Sequence, residues 1–464
     1  MADEVDRLLG HHLTRRELLK RAGAGAGVLM LPGLVAACGG SETTTTGAPG
    51  TTAGTTATTA AAETGTTLAT PAGAIKIGWV SPLTGPASTF GEVDPYILDL
   101  TRKALASGLE VGGKTYSVEF IAKDGQTNPA RGAEVAQELI NSDKIDLMLT
   151  TSTPETINPV SDACEAAGIP CISAMCPWEA WYFGRGAKPG QPSPFKWTYL
   201  FSFGTQQFID SFLSSWPQIE TNKKVGVMWP NDADGNAIRA AMTPAFTKAG
   251  YTVVDPGAYE NGSNDYSTQI AKFKSEGCEI LQGFPLPPDF AVFWRQMRQQ
   301  GFTPKICQIQ KAASLESEME ALGPLAYNVS GALAWSPAFP YDWKLTGMTP
   351  KELGDDWTSS TGGKWPYQML GNSASLVEVG IAALKASGNP KDKAAVAGVM
   401  PTLSVDTMLG KVAWGTGPVA NVVATPILGG QWVKGTGAFP LDWVIIENVN
   451  DRNVTPQAKL QPIT

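Results

Sequence analysis

The sequence predicts an α/β protein made of two doubly wound lobes. Two successive runs in which strand-like segments alternate with amphipathic helix-length ones begin near Ala74 and again near Lys224. The body carrying them has about 390 residues, enough for two hydrophobic cores. Apolar residues make up 43% and charged residues 17% of the chain, a globular composition.

An export segment precedes that body. Thr14-Arg15-Arg16-Glu17-Leu18-Leu19-Lys20 leads into a small, apolar run from Ala22 to Ala37, followed by Cys38-Gly39-Gly40. A charged segment, about fifteen apolar residues and a small-residue cleavage site make an export signal, too short for a permanent membrane span. The adjacent arginines match twin-arginine export, and Val35-Ala36-Ala37-Cys38 matches a bacterial lipobox. Residues 1–37 therefore read as a signal peptide, with Cys38 as the acylated residue that anchors the chain on the outer face of the cytoplasmic membrane. Residues 38–73 form a Thr/Ala/Gly tract with nothing to bury, a flexible tether.

Composition excludes several classes. The net charge is −8, and the signal holds five basic residues against four acidic ones, so the exported chain carries −9. A moderately acidic surface without a basic run argues against a nucleic-acid partner. His11 and His12, the only histidines of the sequence, both lie in the signal. That removes Ser-His and Cys-His dyads and histidine metal sites, so neither metal nor cofactor is expected. Five cysteines remain after Cys38, an odd number. A Cys164–Cys171 bridge between a helix end and the next strand stays open, and Cys176, Cys278 and Cys307 have no zinc-site spacing.

Along the first run, strands are predicted at residues 75–80, 116–122, 145–150 and 169–174. Helices are expected at 94–107, 129–141 and 155–167. The second run gives strands at 225–229, 252–255, 279–284 and 305–309, with helices at 235–249, 266–275 and 289–300. This alternation implies parallel sheets covered on both faces, whose strand carboxyl ends open on a ligand crevice. Gly108 to Thr115 fits a phosphate-binding loop letter for letter, but it follows a helix and enters a strand, the reverse of what that loop needs. Ser193-Pro194-Phe195-Lys196 fits SxxK, yet Pro194 places it in a loop without the helical turn that would bring the pair together.

Residues at those strand ends carry a resemblance. Ser81-Pro82-Leu83-Thr84-Gly85-Pro86, Phe90-Gly91, Asp124 with Asn128-Pro129-Ala130, Ser161-Asp162 through Gly168-Ile169-Pro170, and Asn264-Asp265-Tyr266-Ser267 occur in collinear order. With them the body, from about Ala74 to Lys434, resembles type I periplasmic substrate-binding proteins of the branched-chain amino acid class of ABC transporters. Gram-positive bacteria tether such receptors by lipid, in keeping with Cys38.

The resemblance implies two discontinuous lobes joined by three hinge crossings, near 201–204, 328–334 and 415–421. Lobe 1 would be 74–202 plus 330–416, lobe 2 would be 203–329 plus 417–445, and 446–464 an appended tail. It implies no enzyme. A small-molecule ligand would be closed between the lobes and delivered to an ABC permease. A sensory receptor, or a secreted hydrolase, is the alternative.

Candidate ligand contacts follow from the same comparison. Phe90 corresponds to an aromatic pocket wall, or else to core packing. Ser152 and Thr153 precede a helix N-terminus and either hold a carboxylate or simply cap the helix. Ser173, Ala174, Met175 and Cys176 match a segment whose backbone binds carboxylate and amine. Asp232 and Asp234 reach the ligand or cap the next helix. Phe284 opens a stretch that in relatives supplies an aromatic contact. One departure stands out: amino-acid binders carry a glutamate for the ligand's ammonium where this chain has Gln310 and Lys311. A crevice-facing Lys311 would favour an anion, whereas a surface lysine would have no bearing on it. The aromatic-rich segment 175–199 either stacks on a flat ligand or forms its own small core.

Overall fold

A computed structural model describes residues 71–464. The signal, the lipobox with Cys38 and nearly all of the tether lie outside the described residues.

The first sheet begins with β1 (Ala74–Ser81), α1 (Asp94–Ala104), β2 (Leu109–Val111), β3 (Lys114–Asp124) and α2 (Pro129–Glu138). It continues through β4 (Leu147–Thr151), α3 (Pro154–Ala167), β5 (Cys171–Ala174), the short helix α4 (Trp178–Tyr182) and β6 (Thr198–Ser202). The second sheet is built from α5 (Thr205–Ser215), β7 (Lys224–Met228), α6 (Ala233–Lys248), β8 (Thr252–Val254), α7 (Ser267–Glu276) and β9 (Ile280–Gly283). It goes on with α8 (Pro287–Gln299), β10 (Ile306–Ile309), α9 (Glu316–Glu320) and β11 (Val329–Leu333). The chain then returns through α10 (Pro350–Ser360), α11 (Met369–Ala386), α12 (Lys393–Val399), the hairpin β12 (Ser404–Thr407) and β13 (Gly410–Ala413), and β14 (Val422–Ala424). It closes with β15 (Leu428–Lys434) and β16 (Leu441–Ile445).

Strand order is β14-β6-β5-β4-β1-β3-β2 in one sheet and β16-β15-β11-β10-β9-β7-β8 in the other. The first is parallel except where β2 returns on β3; the second is parallel up to β11 and antiparallel across β15 and β16. This is the two-lobed α/β fold that the alternation predicts. Central strands β1 and β4 are buried along nearly their whole length, as a sheet covered on both faces requires. Helix α11 is buried almost all round because it packs on β4 and β5 on one side and on α1 on the other.

Three boundaries differ from the expected ones. Strand β11 pairs with β10 and β15, so it belongs wholly to the second lobe, and the second crossing follows Leu333. Strand β14 runs parallel to β6 in the first lobe, with Val422 opposite Leu200, so the third crossing lies at residues 425–427 rather than 415–421. Burial of Val422 and Val423, and the Thr425 amide bonded to the Ser202 carbonyl at 3.0 Å, hold the strand there. The last residues are no loose tail. Val454 and Leu460 are buried, the Gln461 amide donates to Gln431, and Ile463 donates to the Lys305 carbonyl.

The phosphate-loop look-alike is the tight turn between β2 and β3, with Gly112 and Gly113 at φ 56 and 72°. No helix follows, so no amides are gathered for a phosphate. Ser193 lies in irregular chain, where its Oγ accepts from the Phe195 amide at 3.2 Å and not from Lys196. Both motif matches are thereby set aside. Cys164, Cys171, Cys176, Cys278 and Cys307 are free, buried thiols, and Cys164 and Cys171 are hydrogen-bonded to each other.

Candidate functional site

The carboxyl ends of β4 and β5 bear the clearest local signal. Ser152 and Thr153 follow β4 with φ of 57 and 61°, and Met175 follows β5 with φ of 64°. Left-handed backbone at adjacent non-glycine residues costs about 1–3 kcal/mol each and is retained where surrounding structure enforces it. Here the Thr153 amide donates to the Met175 carbonyl at 3.3 Å, tying the two strained loops together. Neither hydroxyl caps α3: Thr153 makes no cap bond, and Ser152 Oγ is fully buried without a partner. Thr151 Oγ1 beside it is also unpartnered. Plain helix capping therefore does not describe Ser152 and Thr153.

The other residues of the first lobe separate into two groups. Met175 and the Ala174 carbonyl belong to the strained loops. Ser173 does not face the crevice, because its hydroxyl meets Ser161 of α3 at 3.1 Å in a buried network that also holds Trp181 Nε1. Cys176 packs with Ile157, Trp181 and Leu200, and burial pushes its thiol well above the usual range. Only its amide, which donates to Ser202 Oγ at 3.0 Å, holds the loop in shape. Phe90 sits half-buried on a one-turn helix against the core, steadied by Tyr367 donating to the Thr89 carbonyl at 2.7 Å. The aromatic segment forms its own core. Arg185 is sandwiched between Trp181 and Phe195 at 4.5 and 4.1 Å, with its Nε on Asp162.

In the second lobe, charges dominate. Asp232 caps α6, accepting from the Gly235 amide at 2.7 Å and from Asn261 at 3.0 Å. Lys311, in left-handed backbone after β10, places Nζ 3.0 Å from Asp234 Oδ2 and 3.8 Å from Asp232 Oδ2. Burial would lower the lysine's pKa, but Asp234 and Asp232 outweigh it and the net shift is upward. Lys311 is thus a charged lysine already countered within its own lobe, not a free cation awaiting an anion. Gln310 is buried, its Oε1 accepting from the Ala332 amide at 3.2 Å while Nε2 has no partner. Phe284 is core: it meets Phe208 and Phe212 edge-on or tilted at 5.2 and 6.4 Å and forms no crevice wall.

Glu155 and Glu179, from the first lobe, add to this charge. Glu155 lies within Coulomb reach of Lys311, and Glu179 of Asp234. Sequence reasoning passed over Glu179 because it sits inside an aromatic run that reads as packing. The crevice therefore gathers four carboxylates around one lysine, with unpartnered hydroxyls on the opposite strand ends. Among the described residues, no group of three His, Cys, Asp or Glu side chains could hold a metal ion, and no helix is long and apolar enough to cross a membrane.

Two α/β lobes with a polar crevice at their strand ends describe a solute-binding protein. Residues 74–436 match the family model for periplasmic binding proteins, and the chain belongs to that family, in its type I, branched-chain amino acid class. It is 25% identical over 232 residues to a Leu/Ile/Val-binding protein homolog of Brucella melitensis, an alignment covering 49% of this chain and 58% of that relative's length. The fold matches the leucine binding protein LivK of Thermotoga maritima with a TM-score of 0.63 at 17% identity, covering 80% of this chain and 97% of that one. It also matches a solute binding protein of an ABC transporter from Rhodopseudomonas palustris, in complex with 3,4-dihydroxy benzoic acid, with a TM-score of 0.63 at 19% identity, covering 84% and 98%.

Proposed function

We propose that this chain is a lipid-anchored, extracytoplasmic receptor of an ABC importer. It closes two lobes around a small polar solute (an amino acid, amide or carboxylate) and hands it to the permease. The observation that best supports this is the pair of strained loops at Ser152–Thr153 and Met175, with the buried, unpartnered hydroxyls of Thr151 and Ser152. Strain and unmet hydrogen bonds gathered at strand ends mark a surface that a ligand completes.

The ligands in the relatives' names, branched-chain amino acids and a hydroxylated benzoate, share a carboxylate on an apolar body. That carboxylate is assigned to the Ser152 end, at the N-terminus of α3, and not to Lys311, whose charge is taken by Asp234. Contacts with both lobes exist only when they are closed, so binding shifts the population to the closed form and breaks no bond.

A thermal-shift screen of the exported chain against amino acids, amides, urea and aromatic and aliphatic carboxylates tests this reading. A true ligand at a hundred times its Kd should stabilise the fold by about 2.7 kcal/mol. No shift with any of these classes would overturn it. For the anchor, Cys38→Ala should release the protein from the membrane into the medium; retention would refute lipidation.

A further inference from the structure

Helix α4 stands between the lobes at the first hinge crossing. The Trp178 amide donates to the Phe203 carbonyl at 3.0 Å, and Glu179 Oε1 accepts from the Thr205 amide, at the start of α5, at 2.8 Å. The other oxygen, Glu179 Oε2, is buried without a partner. Across the gap, Asp234 on the first turn of α6 has Oδ2 on Lys311 at 3.0 Å, and its Oδ1 is likewise buried and unpartnered. Both carboxylates, with Thr205, Phe208 and Ile238, line one narrow space between the lobes. Two carboxylates that meet in a desolvated gap cannot both stay ionised; the stable state shares one proton.

We propose that Glu179 and Asp234 form a proton-gated latch: one proton between Glu179 Oε2 and Asp234 Oδ1 holds the lobes together, and its loss sets two like charges against each other and parts them. The surrounding charges decide which side carries it. Lys311 is bonded to Asp234 and favours its ionised form, and Asp232 flanks the same lysine. Glu155 and the buried Cys176 thiol add no positive charge near Glu179. The proton therefore resides on Glu179, whose carboxyl is pushed up by burial, with Asp234 adding to the effect. Closing the lobes raises the proton affinity of Glu179, so the closed state binds more protons and is favoured as pH falls.

The test needs no ligand, so a failed ligand screen leaves it intact. The radius of gyration of the ligand-free exported protein is measured by small-angle scattering from about pH 8 to pH 5, a range bracketing a raised carboxyl. The latch predicts compaction on acidification in the native protein. Glu179→Gln should be compact at both ends of the range, since an amide donates to Asp234 without repulsion, and Asp234→Asn should also lose the pH dependence. A native protein of constant radius, or a Glu179→Gln variant that compacts with acid as the native protein does, would overturn the proposal.

Discussion

Asp94 makes clear what a single buried carboxyl does to this fold. It is 1% exposed, accepts one bond from Ser373 Oγ at 2.6 Å and faces Trp79 and Ser81, with no cation beside it. Burial pushes its pKa to about 6 from 3.8, against the opposing pull of those hydrogen bonds. A raised carboxyl pKa means the folded state holds the proton more tightly than the unfolded chain. Its stabilisation is complete below the unfolded value and is lost as pH rises through about 6. Replacing the group with Asp94→Asn should remove that loss, on the order of 2–3 kcal/mol at pH 7, with little change at pH 4. Thermal midpoints of the two proteins across that range check it; parallel curves would contradict the assignment. The same scale explains why site residues were unevenly legible. Ser152 and Thr153 could be placed from their position after a strand and before a helix. That Asp234 neutralises Lys311 could not, because the partners are far apart in sequence and meet only when the loops after β7 and β10 come together.

Elements were legible wherever burial imposes a long pattern. The β/α alternation gave the strands and helices of both runs because each strand is a short apolar segment and each helix an amphipathic one. Strand β14 escaped because three residues, Val422, Val423 and Ala424, carry too short a pattern to distinguish strand from loop. Helix α4 escaped for another reason: its aromatic residues fit both a ligand-stacking surface and a satellite core, and only Arg185 sandwiched between Trp181 and Phe195 decides for the core. The seat of α4 on the hinge depends on Gly204, where an added Cβ would come within 2.1 Å of Trp178 Nε1. Gly204→Ala should push α4 away from the crossing at a cost of about 1–3 kcal/mol. Urea unfolding together with Trp178 fluorescence would register both effects; an unchanged midpoint and spectrum would argue that α4 is not seated there.

At the scale of the whole molecule, the account rests on two lobes that act on one ligand. Each lobe offers what the other lacks: the first has strained loops and free hydroxyls at β4 and β5, the second a charged cluster at the ends of β7 and β10. A ligand that touched one lobe alone would leave the closed state no more populated than before. Hydrogen–deuterium exchange of the exported protein, with and without a saturating ligand from the thermal screen, measures this most directly. The account predicts new protection in residues 151–155 and 174–176 of the first lobe and, at the same time, in 232–235 and 310–312 of the second. Protection confined to one lobe, or appearing away from these strand ends, would contradict capture between the lobes.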